Sequence, residues 1–365
     1  MAKADFFIDR TVQSHNDKST DSVYGEASDF VNEASQKSRS VVEKAQELLA
    51  YYKKDYSVRL LRDHGISCNL TWTKLELRQR IRTAVLAGQV SLNSILEILT
   101  EIEKWRSLYL LFFKVPEQKL VGLRNQKEVE SQIEKLFPGA SSQNLLQPEI
   151  PESPEISLVQ IKSHKFEIEL IFKRTWWERY PDEDITEKTE AGKIHRTAKI
   201  EREARSVSFI EIDLQSGLLI FSIPQASNKS TFDMNLSIIK NTLKEVVDID
   251  SLAQIDLASV TDYLREMSGV FNRQIYTITK EGTVSNFTSA NRKADILEDY
   301  QAVEAIATMD IHHGHGNYYF QENDVVETEL HFKVLPNPSR LGIFGQRKEQ
   351  EVRHVIDLVR KAIKL

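Results

Sequence analysis

The spacing of hydrophobic residues changes once along this 365-residue chain. Between Ser38 and Leu136 apolar residues recur every three or four positions, which is the spacing of helices with one buried face. Between residues 166 and 173 they alternate with charged residues, which is typical of a strand with one wet face. The pattern predicts an α+β protein: a helical N-terminal domain followed by a mainly antiparallel α+β domain.

The predicted domain boundaries follow from this change. Residues 1–37 are rich in Ser, Asp and Asn, and we predict a mobile tail because little apolar surface offsets their ordering entropy. Residues 38–139 form the predicted α-helical domain. Residues 140–156 form a linker, since Pro148, Pro151 and Pro154 supply no backbone donors. Residues 157–365 form the predicted α+β domain.

Helix starts are readable in the first part of the chain. Thr73 and Ser91 precede amphipathic stretches, and their hydroxyls are suited to cap a helix N-terminus. One further helix is predicted from Ser38 to residue 61, and a short one from 125 to 136. The apolar run at residues 108–113 is predicted to extend or cap this helix pack.

The second part reads as strands followed by helices. Leu170 and Phe172 are predicted to face the core, and Glu169 and Lys173 to face water. Further elements are predicted as a hairpin around residues 215–217, a helix at 231–247, strands at 274–279 and 325–334, and a helix at 346–363.

The recurring order suggests two related strand-then-helix halves. Residues 166–173 (FEIELIFK) and 326–333 (VETELHFK) share five of eight residues. Half-wet strands converge on such alternation without common ancestry, so the duplication stays a hypothesis.

Net charge and cysteine content limit the possible binding partners and the cellular compartment. A net charge of -6 provides no overall attraction for nucleic acid or anionic lipid, so binding of either must be local. Cys68 is the single cysteine, which excludes an internal disulfide and favours a reducing compartment. No apolar run approaches the ~20 residues of a membrane span. We expect a cytoplasmic protein without a membrane segment.

A histidine cluster is one candidate site. Asp310, His312, His313 and His315 fall within six residues, and imidazole and carboxylate groups are ligands of zinc and manganese. The alternative is a solvated hairpin turn marked by the neighbouring glycines, which needs no metal.

A glycine-punctuated segment is a second candidate. Backbone amides and basic side chains near the start of the last helix are suited to an anion. The anion-binding residues would be Arg340, Gly342, Gly345, Arg347 and Lys348. The alternative is that Ile343 and Phe344 fasten this helix to the sheet.

A third candidate combines basic and aromatic residues in one segment. This composition is suited to a nucleic-acid or protein partner, with rings available for stacking and cations for phosphate. The candidate residues are Arg174, Trp176, Trp177, Arg179, Lys193, Arg196, Lys199, Arg202 and Arg205. Nearby carboxylates neutralise the segment, so a long solvated hairpin arm is the alternative.

No common catalytic or nucleotide-binding motif is present in the sequence. We therefore predict a non-enzymatic macromolecular interaction protein that holds a protein or nucleic-acid partner with its helical and α+β modules. No cofactor is expected. The alternative function is a metal-dependent hydrolase or nuclease, with a divalent metal at the His312, His313 and His315 cluster. The sequence leaves the oligomeric state and any catalytic pair open.

Overall fold

The structure is a computed structural model, and every helix and strand below belongs to the compact unit spanning Lys44–Leu365. The described residues are 43, 45, 49, 54–69, 71–136, 150–179, 184–189, 191–226, 228–267, 270–279, 282–289, 294–309, 311–320, 326, 329–336 and 339–364. The predicted tail, and residues 140–149 of the predicted linker, lie outside them.

Three helices with described bounds precede the first strand, and two of them start where the sequence predicts. They are α1 (Lys54–Asp63), α2 (Lys74–Leu86) and α3 (Leu92–Trp105). The Thr73 hydroxyl accepts from the backbone N–H of Glu76, whose carboxylate accepts from Thr73 in return. The Ser91 hydroxyl accepts from the backbone N–H of Ser94 at the start of α3. Their apolar faces share one core, which confirms the predicted helical character of this region.

The apolar run after α3 is a strand, so its predicted place in the helix pack is wrong. Strand β1 (Leu108–Lys114) lies between two other strands and is buried on both faces. Arg106, at the C-terminal cap of α3, is extended and ends the helix. A strand buried on both faces shows no alternation, so its periodicity cannot distinguish it from a buried helix.

The remaining elements are six helices and twelve strands with described bounds, and most of the strands join β1 in one large sheet. The helices are α4 (Glu117–Leu123), α5 (Gln126–Leu136), α6 (Lys229–Leu243), α7 (Ala258–Glu266), α8 (Tyr300–Ala307) and α9 (Glu349–Ala362). The strands are β2 (Glu155–Lys162), β3 (Lys165–Arg179), β4 (Ile185–Thr189), β5 (Gly192–Arg196), β6 (Lys199–Asp213), β7 (Leu218–Pro224), β8 (Ala253–Gln254), β9 (Val270–Thr279), β10 (Val284–Thr288), β11 (Ile311–Phe320), β12 (Leu330–Pro336) and β13 (Ser339–Ile343).

The sheet runs in the order β10-β9-β11-β12-β13-β1-β7-β6-β3-β2, with β8 added beside β1, and β4 pairs with β5 as a separate hairpin. The described strand pairs are antiparallel. The predicted hairpin joins β6 to β7, where Ile210 pairs with Phe221. Gly217 has φ 69° in this turn, and a Cβ there would lie 2.9 Å from the carbonyl oxygen of Val115. The turn therefore needs glycine for its conformation and for its close contact with β1.

The sheet contains two similar halves on either side of β1. The meander β2-β3-β6-β7 is followed by α6, and the meander β9-β11-β12-β13 is followed by α9. The sequence match of 166–173 with 326–333 does not relate equivalent strands, because it places the second strand of one meander beside the third of the other. The two halves have similar strand arrangements, and their relation by duplication stays a hypothesis.

The helices of the two halves cover opposite faces. In the first half, α5 and α6 contribute Val129, Ile133 and Phe232 to a core on one face. In the second half, α7 and α9 contribute Leu264 and Val355 to a core on the other face. The opposite face of each half is therefore not covered by the described helices of that same half.

The register of β3 is confirmed for its apolar face only. Leu170 and Phe172 are buried and Lys173 is exposed, as predicted. Glu169 is 7 % exposed, so its predicted contact with water is wrong. Lys104 on α3 covers it and donates to its carboxylate, which compensates the buried charge.

Candidate functional site

The histidine cluster lies on a strand, not in a turn. His312, His313 and His315 belong to β11, and the backbone of His315 pairs with that of Tyr276. Asp310 and the three imidazole side chains lie outside the described parts of the structure. Among the side chains that are described, no three His, Cys, Asp or Glu residues converge on a metal position. The metal site stays a prediction.

The glycines of this segment have a packing reason. A Cβ at Gly316 would lie 2.7 Å from the carbonyl oxygen of Gln274 and 3.0 Å from the Tyr318 ring. Tyr318 is fully buried, and burial raises its pKa to about 12. The expected turn at Gly314 and Gly316 is wrong, because β11 pairs with β9 on both sides of these residues.

The basic and aromatic segment forms a long arm. Strands β3 and β6 pair out to Arg179 and Lys199, and β4 and β5 form a further hairpin. Lys193, Arg196 and Lys199 are exposed, and Arg174 donates to the carbonyl oxygen of Gln225. The side chains outside the described set are those of Trp176, Trp177, Arg179 and Arg202.

Arg205 differs from the rest of this arm. It is 1 % exposed, and its Nε lies 2.8 Å from a carboxylate oxygen of Glu103 on α3. The expectation that Arg205 is a solvated member of a basic patch is therefore wrong. The reason is non-local, because α3 brings a buried carboxylate to a strand more than a hundred residues away.

The glycine-punctuated segment serves packing at most of its positions. A Cβ at Gly342 would lie 3.1 Å from the Tyr109 ring, and Gly345 has φ 83°. Arg347 donates to the carbonyl oxygen of Phe344, and Lys348 precedes α9 with Glu351 accepting from its backbone. These contacts agree with the alternative that Ile343 and Phe344 fasten the last helix to the sheet. The anion-binding role of the segment stays a prediction.

Arg340, at the start of the same segment, has a different environment. Its guanidinium lies 4.9 Å from the centre of the Tyr109 ring and 4.4 Å from that of Phe232. Burial lowers its pKa, with Tyr109 and Asp233 opposing the effect. Its Nε and Nη1 are buried without a hydrogen-bond acceptor among the residues that the structure describes.

A feature that the sequence reasoning missed lies on the second half-sheet. Tyr319 follows the core residue Tyr318, and His331 follows the core residue Leu330, so both point away from that core. We call this surface the aromatic–cationic face. Its members are Arg273, Tyr276, Tyr319, His331, Lys333, Arg340 and Phe344.

Three rings of this face stack across neighbouring strands. The Tyr319 and His331 ring centres lie 4.5 Å apart, and those of His331 and Phe344 lie 4.6 Å apart. Arg273 continues the row, with its guanidinium 5.7 Å from the Tyr319 ring centre and Nη1 2.8 Å from the Tyr319 hydroxyl.

Lys333 lies beside this row. Its Nζ is 4.9 Å from the centre of the Tyr276 ring, and burial lowers its pKa. Within the described part of the chain, Arg273, Lys333 and Arg340 form no ion pair with a carboxylate. Among the residues that the structure describes, these three cations therefore lack the carboxylate compensation that buried or half-buried charges normally have.

The corresponding surface of the first half is covered and neutralised. Helix α3 lies there, where Lys104 pairs with Glu169 and Trp105 packs 5.0 Å from Phe209. Glu211, also on this surface, forms ion pairs with Lys165, Arg353 and Arg360. The two surfaces differ in charge matching: described cations pair with carboxylates on this surface, and no such pair is described on the aromatic–cationic face.

An alternation signal for this face is present in the sequence. Strand β12 reads Leu330, His331, Phe332, Lys333 and Val334, with apolar and polar residues in turn. The sequence of β12 does not show that Tyr319 lies on one side of the strand and Phe344 on the other, because both residues are distant in the sequence from their neighbour His331 and reach it only through the fold.

Comparison with known proteins adds no identification. No model of a known protein family matches the chain, and no curated protein matches it significantly. None of the described helices is both long enough and apolar enough to cross a lipid bilayer.

Proposed function

We propose that this chain is a non-enzymatic interaction protein that holds an anionic macromolecule against its aromatic–cationic face. The observation that carries the proposal is the set of three cations, Arg273, Lys333 and Arg340, beside a stacked row of rings and without carboxylate partners among the described residues.

The physical argument concerns solvation and charge. A half-buried cation has lost part of its hydration, so an anion that replaces the missing water is bound favourably. Aromatic rings carry a positive edge, which interacts favourably with an anion. A phosphate backbone and an acidic protein segment both fit this surface. The expected partner thus stays a nucleic acid or a protein, and the cytoplasm is its proposed location.

Binding by the full chain tests the proposal. We would titrate a labelled single-stranded oligonucleotide, a duplex of the same sequence, and poly-glutamate at low salt, and follow fluorescence anisotropy. Arg273→Gln/Lys333→Gln should weaken binding and make the salt dependence less steep by about 1 to 2 in log–log slope, because two phosphate contacts are lost.

The matched control removes the same charge from the hairpin arm. Lys193→Gln/Lys199→Gln should leave affinity unchanged, since the proposal places the contact on the aromatic–cationic face and these two exposed residues belong to the arm instead. If this variant weakens binding and the face variant does not, the arm is the interface. If no polyanion binds the wild type, the proposal is wrong.

The alternative function, a metal-dependent hydrolase or nuclease at His312, His313 and His315, is a separate proposal. Its test is elemental analysis of the full chain after dialysis. One retained divalent ion per chain, lost in His313→Ala/His315→Ala, would favour it.

A further inference from the structure

Strand β10 ends the sheet on the side of the second half. Among the described strands it pairs only with β9, from Val284 beside Ile278 to Thr288 beside Gln274. Val284 is 62 % exposed, and Asn286 and Thr288 are exposed as well. A strand edge of this kind presents backbone donors and acceptors that can pair with another chain.

The hydrogen-bond pattern shows which backbone groups point outward. The carbonyl oxygen of Thr283 accepts from Thr279, and the N–H of Ser289 donates to Arg273. In an antiparallel pair, alternate residues bond to the same neighbour, so residues 283, 285, 287 and 289 bond to β9. The N–H and C=O groups of Val284, Asn286 and Thr288 therefore point away from the sheet.

Strand β10 itself carries none of the residues that usually protect an edge strand, and the nearest charges in the sequence are Glu281 and Arg292. Natural edge strands carry lysine, other charges or proline that disfavour the approach of a second strand. Residues 282–291 contain no charged residue and no proline. At the opposite end of the sheet, β2 has Glu155 and Lys162 at its two ends.

The outward groups are also self-complementary. An antiparallel copy centred on Asn286 places Asn286 opposite itself and Val284 opposite Thr288. In that register every outward-facing residue meets another outward-facing residue, and no like charges oppose each other. A second copy of the chain always provides this pairing without opposed like charges, whereas a strand of another protein provides it only if its own sequence is compatible.

We propose that β10 pairs with β10 of a second copy of this chain, through the backbones of Val284, Asn286 and Thr288. The two eleven-stranded sheets then become continuous. The two-fold axis of such a pair is perpendicular to the sheet, so both aromatic–cationic faces lie on the same side. The pairing itself does not depend on what that face binds.

Asn286→Pro tests the contact. Proline removes the outward N–H of residue 286 and leaves the backbone bonds between β10 and β9 in place. The side-chain bond from Gln274 to Asn286 is lost, as the Gln160 bond to Glu167 is lost in the control on β2. Pairing of a short strand buries less than the ~1,000 Å² of a stable interface, so we expect weak association of the full chain. Analytical ultracentrifugation from about 1 μM to about 1 mM should show wild-type dimers and monomeric Asn286→Pro.

Charge exchange makes the test independent of proline. Asn286→Lys and Asn286→Glu should each be monomeric, because like charges would lie directly opposite each other. Their equimolar mixture should dimerise again, which a merely unfolded variant cannot do. Gln160→Lys on β2 is the matched control and should dimerise like the wild type.

Three results would overturn the proposal. One is a wild type that stays monomeric over the whole concentration range. Another is dimerisation of Asn286→Pro equal to that of the wild type. The third is a mixture of the lysine and glutamate variants that stays monomeric.

Discussion

Glu103 and Arg205 form an ion pair that is fully closed to solvent, with 2.8 Å between a carboxylate oxygen and Nε and both side chains 0 % exposed. The pair joins α3 to β6. It fastens the helical part of the chain to the first half of the sheet, on the face that α5 and α6 do not cover.

Breaking this pair on one side should be costly. Glu103→Ala leaves the Arg205 charge buried without its carboxylate, and we expect a loss of about 3 to 5 kcal/mol in unfolding free energy. The matched control is Lys173 with Glu203, an exposed pair that joins β3 to β6. Glu203→Ala should cost less than about 1 kcal/mol. Urea denaturation measures both, and equal losses would contradict the burial of the first pair.

Glu211 should make stability sensitive to acid. Burial by itself would raise the pKa of this carboxyl, but Arg353 and Lys165 outweigh it and hold the pKa below its ordinary value of 4.5. A lowered folded-state pKa means that the stabilisation is complete above the unfolded-state pKa and is lost as the pH falls through the folded-state pKa.

The test compares wild type with Glu211→Gln in urea between pH 7 and pH 3. The variant should be less stable at pH 7, because Lys165, Arg353 and Arg360 lose their shared anion. The difference between the two proteins should shrink below about pH 4.5, as protonation removes the charge in the wild type too. A difference that stays constant with pH would exclude this role for the carboxylate.

Gly316 should tolerate no side chain. Gly316→Ala places a Cβ against the Gln274 carbonyl and the Tyr318 ring, and we expect a loss of about 1 to 3 kcal/mol. Gly122→Ala on α4 is the control, since its Cβ would have no neighbour within 4 Å. That change should be neutral or stabilising by up to about 1 kcal/mol. Thermal melts of both variants decide the point, and a neutral Gly316→Ala would contradict the close approach of β9.

Cleavage in the predicted linker should not separate the chain. Strand β1 pairs with β7 over seven positions, from Leu108 beside Pro224 to Lys114 beside Leu218, and also with β13. A protease site engineered at residues 141–146 should therefore give two fragments that co-elute in size exclusion and part only in denaturant. The two-domain prediction expects separate elution under native conditions.

Local chemistry determined the elements that the sequence predicts well. The hydroxyls of Thr73 and Ser91 cap their helices, and Gly217 makes the tight turn between β6 and β7. Leu170 and Phe172 lie on the buried side because side chains alternate along any strand. Each of these features depends on residues within a few positions in the chain.

The element that covers each surface depends on packing between segments that are distant in the sequence. Alternation places Glu169 and Arg205 away from the apolar core of their own half, and it is the approach of α3 that buries them against Lys104 and Glu103. The same surface of the second half has no such partner among the described residues, and it bears Lys333 and the stacked rings instead. Burial of a charge depends on a neighbour that is distant in sequence, because solvation is a property of the packed surface and not of the strand that carries the residue.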